Sequence, residues 1–311
     1  MTAPTIVVGV NGSAGSAAAV RWGAVEAQLR GADLHVVVAY QWRVPGRSFT
    51  SRGELVRTAG EHATAILDAA VGQARSRTTK VRVRGTAVVG EPVPVLLEAA
   101  ANADLLVVGG RDHGAPGPML DVVTSQIAAY APCSVAVVRP DNSDDTPAIV
   151  VGLDDSPDAS ATAGVAFEEA ALRPSSTLLA VTAFTVPPGC DPRSIEDGRR
   201  RDLAEQLEPW RNKFPEIPVT VEAIHADAGT ALAQKSQQAD LLVVGAGRST
   251  DFEAMRLGPI RLHLLHHAAC PVLIARHVKN SASAGSGRGS SASAPGHRRG
   301  AVSGDRGGLL L

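Results

Sequence analysis

ADLLVVGAGRSTDFEAMRLGPI, residues 239–260, is the stretch from which the rest of the chain can be read. Leu241 to Val244 is a short unbroken apolar run, as expected of a strand buried on both faces, and it stops at Gly245. A polar loop follows, until Gly258 and Pro259 open a helical pattern. Strand, glycine-bearing loop and helix start, in that order, are the layout of an anion or nucleotide pocket. In an open parallel sheet, ligands lie beyond the carboxyl ends of strands. There glycines let backbone N–H groups approach, and a helix N-terminus supplies partial positive charge.

Working outward, the same stretch has a twin. ADLLVVGG at 103–110 echoes ADLLVVGA at 239–246, IVVGVNGS at 6–13 echoes IVVGLDDS at 149–156, and the strand entry at Cys133 is matched at Cys270. Three matches in one order identify a tandem duplication. In the first copy the periodicity predicts strands at 6–10, 34–40, 81–89 and 135–138, with ADLLVVGG at 103–110 as the fourth of five. Helices are predicted between them at 17–29, 52–75, 92–101 and 122–130. Alternating strands and helices of this kind make a doubly wound α/β unit. The polar, proline-ended segment 141–147 reads as a linker between domains at 4–140 and 148–278. From Lys279 to Leu311 the composition falls to Ser, Gly, Ala and Arg, for which disorder is expected.

Composition narrows the partners. The 311 residues are 44% hydrophobic and 20% charged with a formal net charge of -1, so no global field draws the chain to nucleic acid or anionic membrane. Aromatic residues are 3%, too few for a base-stacking surface of the single-strand-binding kind. No run approaches the roughly 18 apolar residues of a membrane helix. MTAPTIVVGV lacks a basic segment before a long apolar core. Cys133, Cys190 and Cys270 are scattered and odd in number, which points to a reducing compartment, and the expected location is the cytoplasm.

With the duplication, the strand ends, the ADLLVVG runs and the LGPI…HHAACPV ending in view, the chain resembles the universal stress protein family in its tandem form, over about residues 4–278. That resemblance implies two Rossmann-like domains of the adenine nucleotide alpha hydrolase type. Each would be a five-stranded parallel sheet of order 3-2-1-4-5 with helices on both faces. The last strands, if paired edge to edge, would make a pseudo-dimer within one chain, with a homodimer as a further arrangement. It also implies a branch that binds ATP, marked by an Asp after strand one and a loop of the form GxxG, nine residues, then Gly followed by Ser or Thr.

Carried over residue by residue, the resemblance puts Asp154, Ala183, Val244, Gly245 and Gly258 at an ATP pocket in the second domain, with magnesium if ATP is bound. Gly258 keeps the spacing, thirteen positions after Gly245. Arg248 replaces the second glycine, and Pro259 replaces the Ser or Thr, removing a hydroxyl and a backbone N–H. Arg248 or Arg256 would act as a charged phosphate donor in their place. The first copy departs further. Asn11, Asp112 and Asp121-Val122 stand at the motif positions, its loop is one residue shorter, and no nucleotide is expected there.

Each residue also has a plainer reading. Asp154 would hold a ribose or magnesium, or else form an Asx turn, and Asp155 and Asp158 suit turn and cap. His263, His266 and His267 have helical spacing but no evident third zinc ligand nearby, so a solvated or interface face is expected. Cys133 and Cys270 read as small buried hydrophobes. The chain has no GxxxxGK[ST], GxSxG or HExxH. The reading is therefore a non-catalytic stress-response regulator with a degenerate ATP pocket in domain 2. The alternatives are a ligand-free interaction protein acting through dimerisation surfaces and a nucleotide hydrolase.

Overall fold

A computed structural model of the chain describes residues 3–41, 52–110, 119–140, 148–247 and 257–276. The linker at 141–147, Arg248, Arg256, Asp112 and the tail at 279–311 lie outside them.

The first half runs β1 (Thr5–Val10), α1 (Ala14–Arg30), β2 (Asp33–Tyr40), α2 (Arg52–Arg77), β3 (Val83–Val89), α3 (Pro92–Ala99), β4 (Leu105–Gly109), α4 (Met119–Tyr130) and β5 (Ser134–Val138). The second repeats it as β6 (Ala148–Gly152), α5 (Ala159–Leu172), β7 (Thr177–Phe184), α6 (Pro192–Lys213), β8 (Val219–His225), α7 (Ala228–Lys235), β9 (Leu241–Gly245), α8 (Pro259–His267) and β10 (Val272–Ala275). Boundaries follow local chemistry. The helix predicted from Ala17 starts at Ala14 because the Ser13 hydroxyl accepts from Ser16 N at 3.1 Å, and it ends where Gly31 takes a left-handed φ of 61°. Asp227 caps α7 through Thr230 N at 3.0 Å, and prolines open α3, α6 and α8 at positions whose N–H would be unpaired anyway.

The ten strands form one sheet in the order β3-β2-β1-β4-β5-β10-β9-β6-β7-β8. Read inward from its outer edge, each half has the order 3-2-1-4-5 and all its pairings are parallel. The halves join where β5 and β10 pair antiparallel, Val272 opposite Val137 and Ile274 opposite Val135. This pairing removes two exposed strand edges at once.

Helices cover both faces. One core layer gathers the α1 and α5 side chains Ala24 and Phe167 over Val8 and Val151, and the other gathers Ile127 and Leu264 over Leu106 and Leu242. Both layers run through the two halves without a break, as an antiparallel junction with matching faces allows. The central strands β4 and β9, both LLVVG, are buried on both sides, which is why they read as unbroken apolar runs.

Candidate functional site

Beyond the carboxyl ends of β6 and β9, in the second half, lies a cleft of about 590 Å³, within the range of small-molecule sites. Strand order reverses between β6 and β9, which places the cleft at the switch point where such sheets hold ligands. Asp154, Ala183, Val244, Gly245 and Gly258 all line it, so five of the six residues named from sequence come together. The sixth, Arg248, is outside the described residues.

One wall is apolar, formed by Val181 and Ala183 of β7, Leu232 of α7 and Val244 of β9. The opposite wall is the turn after β6. There Asp154 Oδ1 accepts from Ser156 N at 3.1 Å, an Asx turn that Asn11 repeats with Ser13 N at 3.1 Å in the first half. Asp154 thus makes the turn and lines the cleft together. Its neighbours depart from expectation. Asp155 pairs with Arg199 of α6 instead of closing a turn, because α6 packs close to this loop. Asp158 occupies the N-cap position of α5 without a side-chain cap bond, since its backbone is helical (φ -90°, ψ -4°) rather than extended.

The two halves differ at this turn. In the first, a Cβ on Gly109 would lie 2.6 Å from Ser16 N, so the first turn of α1 presses on the end of β4. In the second, Ser156-Pro157-Asp158 delays the helix to Ala159. The corresponding Gly245 meets the Thr162 hydroxyl instead, at 2.7 Å from the same missing Cβ. Counted from the matching serines, Ser13 and Ser156, the helix starts two residues later in the second half.

The residue that the sequence reading missed is Arg261. Its Nε donates to Gly245 O at 2.6 Å, and its guanidinium lies between Gly247 and Gly258. A Cβ on Gly258 would stand 2.7 Å from Arg261 Nη1, and Gly247 has a φ of 73°, so both glycines make room for this group. Burial pulls the Arg261 pKa below its ordinary value against the opposing pull of Asp154. One signal was available: an arginine in the first turn of a helix opposes the helix dipole, which favours anions there.

The plainer candidates are also placed. The His263 and His267 rings pack against each other along α8, with centroids 4.3 Å apart and planes tilted by 37°. Among the described residues no group of three or more His, Cys, Asp or Glu could hold a metal ion. Burial pushes the Cys133 thiol up to about 11 and the Cys270 thiol up to about 12. No helix among the described residues is long and apolar enough to cross a membrane.

Comparison with known proteins agrees with the fold. A family model described as the universal stress protein family matches residues 3–139 and again 147–276. Universal stress protein Rv2005c of Mycobacterium tuberculosis is 32% identical over 285 residues, covering 87% of this chain and 96% of that protein. The crystal structure of a universal stress protein from Archaeoglobus fulgidus, 14% identical, superposes with a TM-score of 0.67 over 89% of this chain and 97% of its own. A universal stress protein crystallised in complex with cAMP is 25% identical over 44% of this chain and 98% of its own, with a TM-score of 0.34.

Proposed function

The chain belongs to the universal stress protein family, and from that premise we propose that it is a non-catalytic stress-response regulator whose second half binds an adenine nucleotide. The observation that carries this reading is the cleft itself. It sits at the switch point of a parallel sheet, with an apolar wall of Val181, Ala183 and Leu232 suited to a base. Asp154 stands at the turn for ribose hydroxyls, and the Arg261 guanidinium, held to Gly245 O, supplies a positive group in the same cleft.

ATP with magnesium is the ligand that the family resemblance brings forward. The residues present fit a nucleoside and one anionic group. They fit a metal-bridged triphosphate less well, because Pro259 offers neither hydroxyl nor N–H. The non-catalytic part of the proposal rests on chemistry: among the described lining residues, none is a lysine or histidine placed as a base beside the loop. A cytoplasmic location belongs to the same reading and is supported by three unpaired cysteines.

The test is release of bound nucleotide from the purified, denatured chain, together with calorimetric titration of adenosine, AMP and ATP. Adenosine and AMP binding in the micromolar to millimolar range is expected. No released nucleotide and no heat with any of the three would leave the ligand-free interaction protein as the reading. That alternative is favoured by one observation, the Arg261 guanidinium already seated between the two glycines.

A further inference from the structure

Among the described residues seven large hydrophobic side chains are exposed, and four of them lie on two helices: Val122 (50%) and Tyr130 (42%) on α4, Ile260 (42%) and Leu262 (39%) on α8. The other three are scattered singly over α1, α2 and the end of β3, as on any protein surface. Fixed charge is missing from the same place. Val122 to Tyr130 holds no Asp, Glu, Lys or Arg, and Pro259 to His267 holds only Arg261, whose Nε is turned to Gly245 O.

Both helices cover the β5–β10 seam. Arg276, just past β10, donates to Ala128 O at 2.8 Å and Ala129 O at 2.6 Å in the last turn of α4, and Arg139, just past β5, donates to Leu265 O in the last turn of α8. The last turn of α4 and the first turn of α8 adjoin the same end of β10, since Ala275 is in register with Gly245, which Arg261 touches. Tyr130, Ile260 and Leu262 therefore stand at one end of the seam. Along α4, Val122, Gln126 and Tyr130 recur every four residues as an outward stripe, while Ile127 and Ala128 between them are buried.

We infer that this face is an interface and that its occupant is a second copy of this chain, docked isologously, the face against its own counterpart. Two observations choose that partner. The face continues an interface that already joins two copies of one folding unit, because the pseudo-two-fold axis of the antiparallel seam passes between α4 and α8. A face without fixed charge also meets itself with no like-charge repulsion, whereas a partner selected by electrostatics needs charge to read. Exposed apolar side chains grouped in this way, with a tyrosine among them, are the composition of an interface core. The helices are about 18 and 14 Å long, so the area is at the low end of specific interfaces and the dimer should be weak, with a Kd of about 10–100 µM. None of this depends on what the cleft binds.

The experiment is sedimentation velocity of the full chain over a concentration series that brackets that Kd. A monomer should pass to a species of twice the 32.0 kDa chain mass. High salt should not weaken the association, because no ion pair holds it. Tyr130→Glu and Leu262→Glu should each raise Kd at least about tenfold, whereas Val56→Glu on α2 should leave it unchanged. Far-UV circular dichroism and the urea midpoint show which variants are folded. Hydrogen exchange of the wild type should slow in 122–130 and 259–267 as concentration rises, a readout that needs no variant. A monomer at every concentration without such slowing overturns the inference and leaves the face to another protein or to solvent. Slow exchange there at every concentration, with a monomeric mass, would make residues 279–311 of the same chain the occupant and overturns it equally. So does a dimer that survives both substitutions, or a mass that grows without limit, as a head-to-tail contact gives.

Discussion

Arg173, the C-cap of α5, donates through Nη2 to Glu26 Oε2 on α1 at 2.5 Å, joining two residues 147 positions apart at the junction of the two halves. Three further bonds close the ring. Arg30 Nε donates to Glu26 at 2.7 Å, Arg173 Nη1 donates to Glu169 at 2.6 Å, and Arg30 pairs with Glu169. Glu26 and Glu169 occupy corresponding positions in the duplicated sequence, so the ring has the pseudo-two-fold symmetry of the β5–β10 seam. Both carboxylates are about as buried as the core around them, with side chains 1% and 2% exposed.

A buried ring of this kind need not add net stability, but breaking it leaves charges stranded. Glu26→Ala should lower unfolding free energy by about 3–5 kcal/mol, measured by urea titration. Replacing all four members by Met or Leu should recover most of that loss. A loss below ~1 kcal/mol for Glu26→Ala would mean that water compensates the two arginines.

The ring should also give stability a pH dependence. Burial, then the neighbouring charge of Glu26, pushes the Glu169 carboxyl up to about 7. Although burial opposes its charge, Arg173 and Arg30 hold Glu26 below the usual carboxylate range. The protons belong to the pair, but the signs are separate. A raised folded pKa means that Glu169 contributes most below its unfolded value of 4.5, and that the contribution is lost as pH rises through about 7. Glu26 contributes above 4.5 and loses its share as pH falls through its depressed value. Between pH 5 and 8 stability should therefore fall with rising pH, by on the order of 2 kcal/mol. Glu169→Gln, which mimics the protonated form, should flatten that slope; an identical slope in the variant counts against the assignment.

Gly164 should behave against helix propensity. In an exposed helix Gly→Ala gains about 1 kcal/mol. A Cβ on Gly164 of α5, however, would lie 2.5 Å from Trp210 Cη2 of α6, a ring that also stacks on Phe167 at 6.4 Å. Gly164→Ala should destabilise by about 1–3 kcal/mol, and the sign should reverse in a Trp210→Ala background. A double-mutant cycle in urea measures this, and additivity would refute the contact.

Thiol chemistry should separate the cysteines. Cys133 and Cys270 are buried with their thiols pushed up to about 11 and about 12, whereas Cys190 is exposed. Iodoacetamide at pH 8 should label Cys190 alone in the folded chain and all three in guanidinium chloride, as read by mass spectrometry.

Asp154 and Asn11 make the same turn bond, so their alanine variants should lose similar stability. Only Asp154→Ala should weaken AMP binding, by about tenfold, because only that turn borders the cleft. Equal effects of the two substitutions on binding would place the nucleotide elsewhere.

Most of the architecture was legible in residue order, because helix and strand periodicities are local. LLVVG at β4 and β9 reads as a doubly buried strand without knowledge of its neighbours, and the repeat shows that one unit occurs twice. The strand order came from family resemblance, and the structure has it in both halves. Of the candidate site, the glycines were legible from the strand, loop and helix-start pattern, and Asp154 came from the family resemblance. Arg261 was not legible, since it reaches Gly245 from 16 residues downstream and only the fold sets the start of α8 beside the end of β9.

By itself, then, the sequence determined two copies of an α/β unit and the frame of one pocket, since apolar periodicity and glycine spacing act within a few turns of chain. Tertiary structure decided that Arg261 lies against the two glycines of that pocket. It also decided how Glu26, Arg30, Glu169 and Arg173 neutralise one another. Each of those depends on where a helix start or a charged side chain lands relative to a partner as much as 147 residues away, and the energy of a buried charge is set by that distance and not by position in the chain.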